Sequence, residues 1–126
     1  MEVKVELDRD IIFLKLSGGL VASTLEQLRN QIQKLVDKKY VNIVFDMSRV
    51  DFVDSSGLGL CISTARELAA ISGKLVCCGL SDNVQKLFKM TRADQKVAVM
   101  ASRMNAFEYM LSRLNDDPHG ASVLHE

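Results

Sequence analysis

A near-continuous apolar run, Val41-Asn42-Ile43-Val44-Phe45, stands between two segments of helical periodicity. A short run of this kind marks a strand buried on both faces, at the centre of a sheet. The flanking segments supply the cover. Leu25, Leu28, Ile32, Leu35 and Val36 repeat at helical spacing within a predicted helix over residues 22–38, which Ser23 or Thr24 can cap with Glu26 three residues after Ser23. Leu58, Cys61, Ile62, Ala65, Leu68 and Ala69 do the same within a second helix over 55–71, which Gly73 ends in the left-handed manner.

The remaining chain fits around this centre. Residues 3–7 alternate apolar and polar, Asp8-Arg9-Asp10 is a turn, and residues 11–16 form the return strand of a hairpin that Ser17-Gly18-Gly19 breaks. Residues 75–78 read as a fourth strand. Ser81-Asp82-Asn83 caps a short helix with Val84, Leu87, Phe88 and Met90 facing inward. Residues 96–100 form a last brief strand. Ser102 opens a final helix carrying Ala106, Phe107, Met110, Leu111 and Leu114. The order β-β-α-β-α-β-α-β-α predicts an α/β fold, a mixed sheet with parallel central strands and helices packed against it. One domain over 1–114 and a non-periodic tail over 115–126 are expected.

Composition removes several function classes. Sixteen basic and sixteen acidic side chains leave a net charge of zero, so no basic surplus points to nucleic acid or an anionic membrane. The charged alternation of Met1-Glu2-Val3-Lys4-Val5-Glu6 is no signal core, and no apolar stretch is long enough for a bilayer, so a cytoplasmic protein is expected. Cys61, Cys77 and Cys78 lie in apolar settings. Adjacent cysteines on a strand point to opposite faces and are poor disulfide or metal partners for each other, so all three are expected as buried thiols. The two histidines, His119 and His125, lie in the tail beside the only proline, Pro118, and make a poor metal site. No metal and no cofactor are expected.

Chemistry concentrates in Val53-Asp54-Ser55-Ser56-Gly57-Leu58-Gly59, directly between a predicted strand and a predicted helix. This places a hydroxyl at a helix N-terminus, where backbone N–H groups favour negative charge. A hydrolase nucleophile elbow, G-x-S-x-G, is excluded because Val53 and Asp54 occupy the positions of its leading glycine and the ordered chain lacks a histidine base. A phosphate-binding loop is excluded because Leu60-Cys61 follows Gly57-Leu58-Gly59 where lysine and a hydroxyl are needed. A dinucleotide fingerprint fails at Ile62, where a third small residue is required. Asp54 or Ser55 as an N-cap, with Gly57 and Gly59 allowing close approach of helix and sheet, is the structural reading. It leaves the second serine and the bare rim unexplained.

These residues resemble a stand-alone STAS domain of the anti-sigma-factor antagonist type, over roughly residues 3–113. The most specific element is Asp54-Ser55-Ser56-Gly57-Leu58-Gly59 after Phe45-Asp46-Met47-Ser48-Arg49-Val50. Leu16-Ser17-Gly18 and Ser81-Asp82-Asn83-Val84-Gln85-Lys86-Leu87-Phe88-Lys89-Met90 support it. The resemblance implies the STAS fold and a non-enzymatic partner switch. It implies that Ser55, with Ser56 as the alternative, is phosphorylated by a GHKL-type serine kinase that doubles as an anti-sigma factor. A metal-dependent serine phosphatase reverses this, and the unphosphorylated form binds the kinase. The implied partner-binding residues are Asp54, Ser55, Ser56, Gly57, Leu58, Gly59, Val21 and Ser23, within a face over 18–24, 46–60 and, at its margin, 82–90. A monomer or weak dimer is expected.

Asp46, Asp51 and Asp54 are expected to make the rim acidic, so that a phosphate adds charge where a partner must dock. The chain departs from the family pattern at Gly18-Gly19-Leu20-Val21, where Gly19 and Val21 stand at positions that are acidic in many members. Two further readings therefore stand beside the switch: a STAS scaffold that is never phosphorylated, or a switch controlling something other than a sigma factor. A small-ligand module has little support.

Overall fold

The computed structural model describes residues 1–116. Its elements are β1 (Glu2–Asp8), β2 (Ile11–Ser17), α1 (Leu25–Asp37), β3 (Asn42–Arg49), α2 (Ser55–Ala70), β4 (Lys74–Cys78), α3 (Asp82–Met90), β5 (Ala98–Met100) and α4 (Arg103–Asp116), with a single 3-10 turn at Ala93–Gln95. The α/β order expected from the sequence is the order observed.

The five strands lie side by side in chain order. β1 and β2 pair antiparallel without a slip, joined by a two-residue turn in which Arg9 and Asp10 both adopt positive φ, the turn type whose twist matches a hairpin. The other pairings are parallel. Parallel neighbours need crossovers of one hand, and three successive crossovers in one direction bring α1, α2 and α3 onto the same face of the sheet.

Strand alternation then divides the core in two. Ile12, Leu14, Leu16, Ile43, Phe45, Leu75 and Cys77 face the first three helices, with Leu28, Ile32, Leu68, Val84 and Phe88 packed among them. Ile11, Phe13, Val44, Val76 and Cys78 face the other way, where α4 covers them with Ala106 and Met110. Cys77 and Cys78 thus lie on opposite faces, and all three thiols are free and buried. Burial pushes the Cys78 thiol up to about 12, and the Cys77 thiol rises through its neighbour Cys61 and burial.

Several local expectations are corrected. α1 begins at Leu25, three residues late, because residues 22–24 form a turn; Ser23 does not cap it, and the Thr24 hydroxyl instead bonds the carbonyls of Gly19 and Val21. α2 ends with Ser72, not Gly73, in the left-handed conformation. The Ser72 and Gly73 N–H groups donate to the Ala69 and Leu68 carbonyls, the pattern of a Schellman end. Gly73 is needed for another reason: a Cβ there would land on the Val41 carbonyl oxygen. Met90 is 82% exposed rather than inward, since Val84 and Phe88 one turn apart already fill the buried face of α3. β3 runs four residues past Phe45, and β5 begins only at Ala98. α4 runs to Asp116, and the rest of the expected tail, with Pro118, His119 and His125, lies outside the described residues.

Candidate functional site

The sheet delivers its central strands to one end, and the connections leaving that end build the site. β2 continues as residues 18–24 and β3 as residues 50–54. The two loops are stitched together: Gly18 N–H donates to the Arg49 carbonyl, Leu20 N–H to the Phe52 carbonyl, and Asp54 N–H to the Leu20 carbonyl. Leu20 and Val53 form an isolated parallel bridge, both side chains buried.

Asp54 fastens this arrangement. Its extended backbone makes it the N-cap of α2, and its Oδ1 accepts from Gly57 N–H at 2.8 Å. Its Oδ2 accepts from Ala22 N–H at 3.1 Å, across 32 residues of chain. One carboxylate therefore caps the helix and anchors the preceding loop. These two N–H groups, Gly57 foremost, hold the Asp54 carboxyl below the usual carboxylate range. Both carboxylate oxygens are thereby committed to the backbone.

Asp54 is the cap, and Ser55 is not. Ser55 and Ser56 are the first two residues of α2, and both are exposed. Neither hydroxyl has a hydrogen-bond partner among the described residues. Gly57 is buried where α2 crosses the Leu20 backbone, and a Cβ at 57 would strike the Leu20 carbonyl oxygen. Gly59 was expected to serve the same approach but does not: it is exposed, with open space where its Cβ would be. Leu58 points into the core, so its side chain is absent from the rim. Ser23 is exposed and Val21 half-buried on the neighbouring loop, Val21 N–H donating to the Thr24 hydroxyl.

Asp46 is not part of the rim. It points to the opposite face of the sheet, where its Oδ1 accepts from the Ser48 N–H and hydroxyl and its Oδ2 lies 3.8 Å from Arg103 of α4. The acidic groups on the described rim are Asp51, exposed, and Asp54.

One surface residue was not singled out from the sequence. Phe52, three residues before Ser55, is 60% exposed while its carbonyl is held by Leu20. It flanks a groove of about 280 Å³ lined by Asp51, Phe52, Val53, Asn83, Val84 and Leu87. An aromatic in a short polar connection was the available signal. The groove joins the 46–60 segment to α3, which stands at the margin of the expected face.

A protein-family model of the STAS domain matches residues 2–106. The anti-sigma-B factor antagonist of Listeria monocytogenes is 30% identical over 91 residues, which are 72% of this chain and 79% of that protein. The anti-sigma F factor antagonist of Lysinibacillus sphaericus is 30% identical over 84 residues, 66% of this chain and 72% of that one. The solved structure of the anti-sigma factor antagonist SpoIIAA in its unphosphorylated form has a TM-score of 0.68 at 25% identity, covering 91% of this chain and 99% of that one. The Bacillus protein SpoIIAA has also been solved in its phosphorylated form.

Proposed function

This chain belongs to the STAS domain family, and on that premise we propose that it is a cytoplasmic, non-enzymatic partner switch acting as an anti-sigma factor antagonist. In its unphosphorylated form it binds a GHKL-type serine kinase that is also an anti-sigma factor. Phosphorylation of Ser55 ends the complex, and a metal-dependent serine phosphatase restores it.

The carrying observation is the division of labour between Asp54 and Ser55. Asp54 meets the needs of the helix end. The Ser55 hydroxyl is exposed and has no structural duty, so another enzyme can modify it without disturbing the fold. A phosphate there adds about −1.5 to −2 charges at a helix N-terminus, a position that tolerates anions. The added charge lies beside Asp54, a carboxylate already held ionised. The cost falls on any partner that must desolvate this rim, through repulsion and lost burial rather than refolding. The docking face then comprises Val21, Ser23, Asp54, Ser55, Ser56 and Gly59, with Phe52 as its apolar element. The relatives named as anti-sigma factor antagonists support this reading.

Incubation with the cognate kinase and ATP tests it. The wild type gains one phosphate by mass, Ser56→Ala gains it equally, and Ser55→Ala gains none. An unmodified wild type, or full modification of Ser55→Ala, overturns the claim. Gly19 and Val21, standing where many members are acidic, favour the second reading of an unphosphorylated scaffold or a different output. A Ser55→Asp variant that keeps its partner at unchanged affinity supports that reading instead.

A further inference from the structure

β1 is an edge of the sheet. Its seven residues pair with β2 without a bulge, it contains no proline, and no strand lies on its other side. An edge of this kind presents a row of unpaired backbone donors and acceptors. Val5 is 40% and Leu7 54% exposed on the face that α1 to α3 cover elsewhere.

The other face of β1 is charged, with Glu2, Lys4, Glu6 and Asp8 along it. Lys4 lies directly opposite Lys15 of β2, a like-charged cross-strand pair. Among the described residues Lys4 makes no ion pair. Its charge is repelled by its cross-strand neighbour, and Glu2 and Glu6, which flank it on the same face of β1, do not come within ion-pair distance.

We propose that β1 pairs antiparallel with β1 of a second copy of this chain, forming a ten-stranded sheet across a two-fold axis at Val5. In this register Val5 faces Val5, Val3 faces Leu7 of the second copy, and Lys4 faces Glu6 of the second copy. Each Lys4 gains a carboxylate directly opposite it, joining the Glu6–Arg103 bridge already present at 3.2 Å. Both apolar residues that β1 exposes become covered. Glu2 faces Asp8 at the two ends, where Arg9, 3.8 Å from Asp8, offsets the repulsion.

Other registers are worse. Centring on Lys4 or on Glu6 sets like charges face to face at the axis. Slipping by one residue sets every valine or leucine opposite a charged side chain. A single strand pair covers less than the ~1,200–2,000 Å² of stable complexes, so the dimer is weak and concentration-dependent.

Sedimentation of the full chain and cysteine trapping test this together. The wild type passes from monomer toward dimer as concentration rises, and Lys4→Glu raises the dissociation constant about ten-fold while leaving the circular dichroism spectrum unchanged. Residues directly opposite in an antiparallel pair have Cα atoms ~4.5–5.5 Å apart, within the span of a disulfide. Val5→Cys therefore forms a covalent dimer on mild oxidation, whereas Leu7→Cys alone does not; mixing Val3→Cys with Leu7→Cys does. The native thiols are buried and do not interfere. A protein that stays at 14.0 kDa at every concentration overturns the proposal and leaves the edge to a foreign strand. So does a dimer that ignores Lys4→Glu, or trapping of Leu7→Cys as readily as Val5→Cys.

Discussion

Asp54 commits both carboxylate oxygens to backbone N–H groups, one in its own helix and one at Ala22. Ser55 and Ser56 are thereby released from structural work. The two side chains should therefore separate in a stability measurement. Asp54→Ala lowers the melting temperature at pH 7, whereas Ser55→Ala stays within about 0.5 kcal/mol of wild type. The acid limb has a definite sign. The folded Asp54 pKa is depressed, so its contribution is complete above the ordinary aspartate value of about 3.9 and is lost as pH falls through the lower folded value. Thermal melts at stepped pH should show the wild type and Asp54→Ala converging below about pH 4. The cap itself was legible in Asp54-Ser55-Ser56-Gly57, though the sequence allowed either of the first two residues. The tie to Ala22 was not, because nothing local in residues 50–60 reports which loop the sheet will bring alongside.

At the scale of elements, α2 carries two glycines with different purposes. Gly57 is where the helix crosses the Leu20 backbone, and Gly59 faces open space. Gly57→Ala should destabilise by about 3 kcal/mol, since a backbone carbonyl must move. Gly59→Ala should stabilise by about 0.5–1 kcal/mol through helix propensity, yet weaken partner binding if the rim must stay bare. Chemical denaturation and a pull-down on the same two variants read both effects. The order of strands and helices was legible because each apolar run and each helical stripe is a local signal. The extent of β3 was less so: the strand continues past Phe45 because Asp46 pairs with Lys15 of β2 and Cys78 of β4 and Met47 is fully buried, partners that no local pattern reports. Met90 misled for the opposite reason, being apolar at the last residue of α3 with no packing partner required.

The whole molecule is lopsided. Three helices cover one face of the sheet and α4 covers the other, held by Arg103 across Phe13 and Glu6 at one end and by Arg113 to Asn42 and the Gly73 carbonyl at the other. Cys61 and Cys77 sit under the three-helix layer and Cys78 under α4, so the thiols report on both layers. With Cys78 at about 12 and Cys77 also raised, a thiol reagent at pH 8 should label none in the native protein and all three after denaturation. Cys78 labelling ahead of the other two under mild denaturant would show that α4 opens before the remainder. Strands laid down in chain order allow each β-α unit to dock on its predecessor as it is synthesised. The surface formed by Ile11, Phe13, Val44 and Val76 has no such timing, because the helix that closes it is the last described element to leave the ribosome. Until α4 emerges the nascent chain carries a half-built, sticky side, and that interval is when a chaperone has the most to protect.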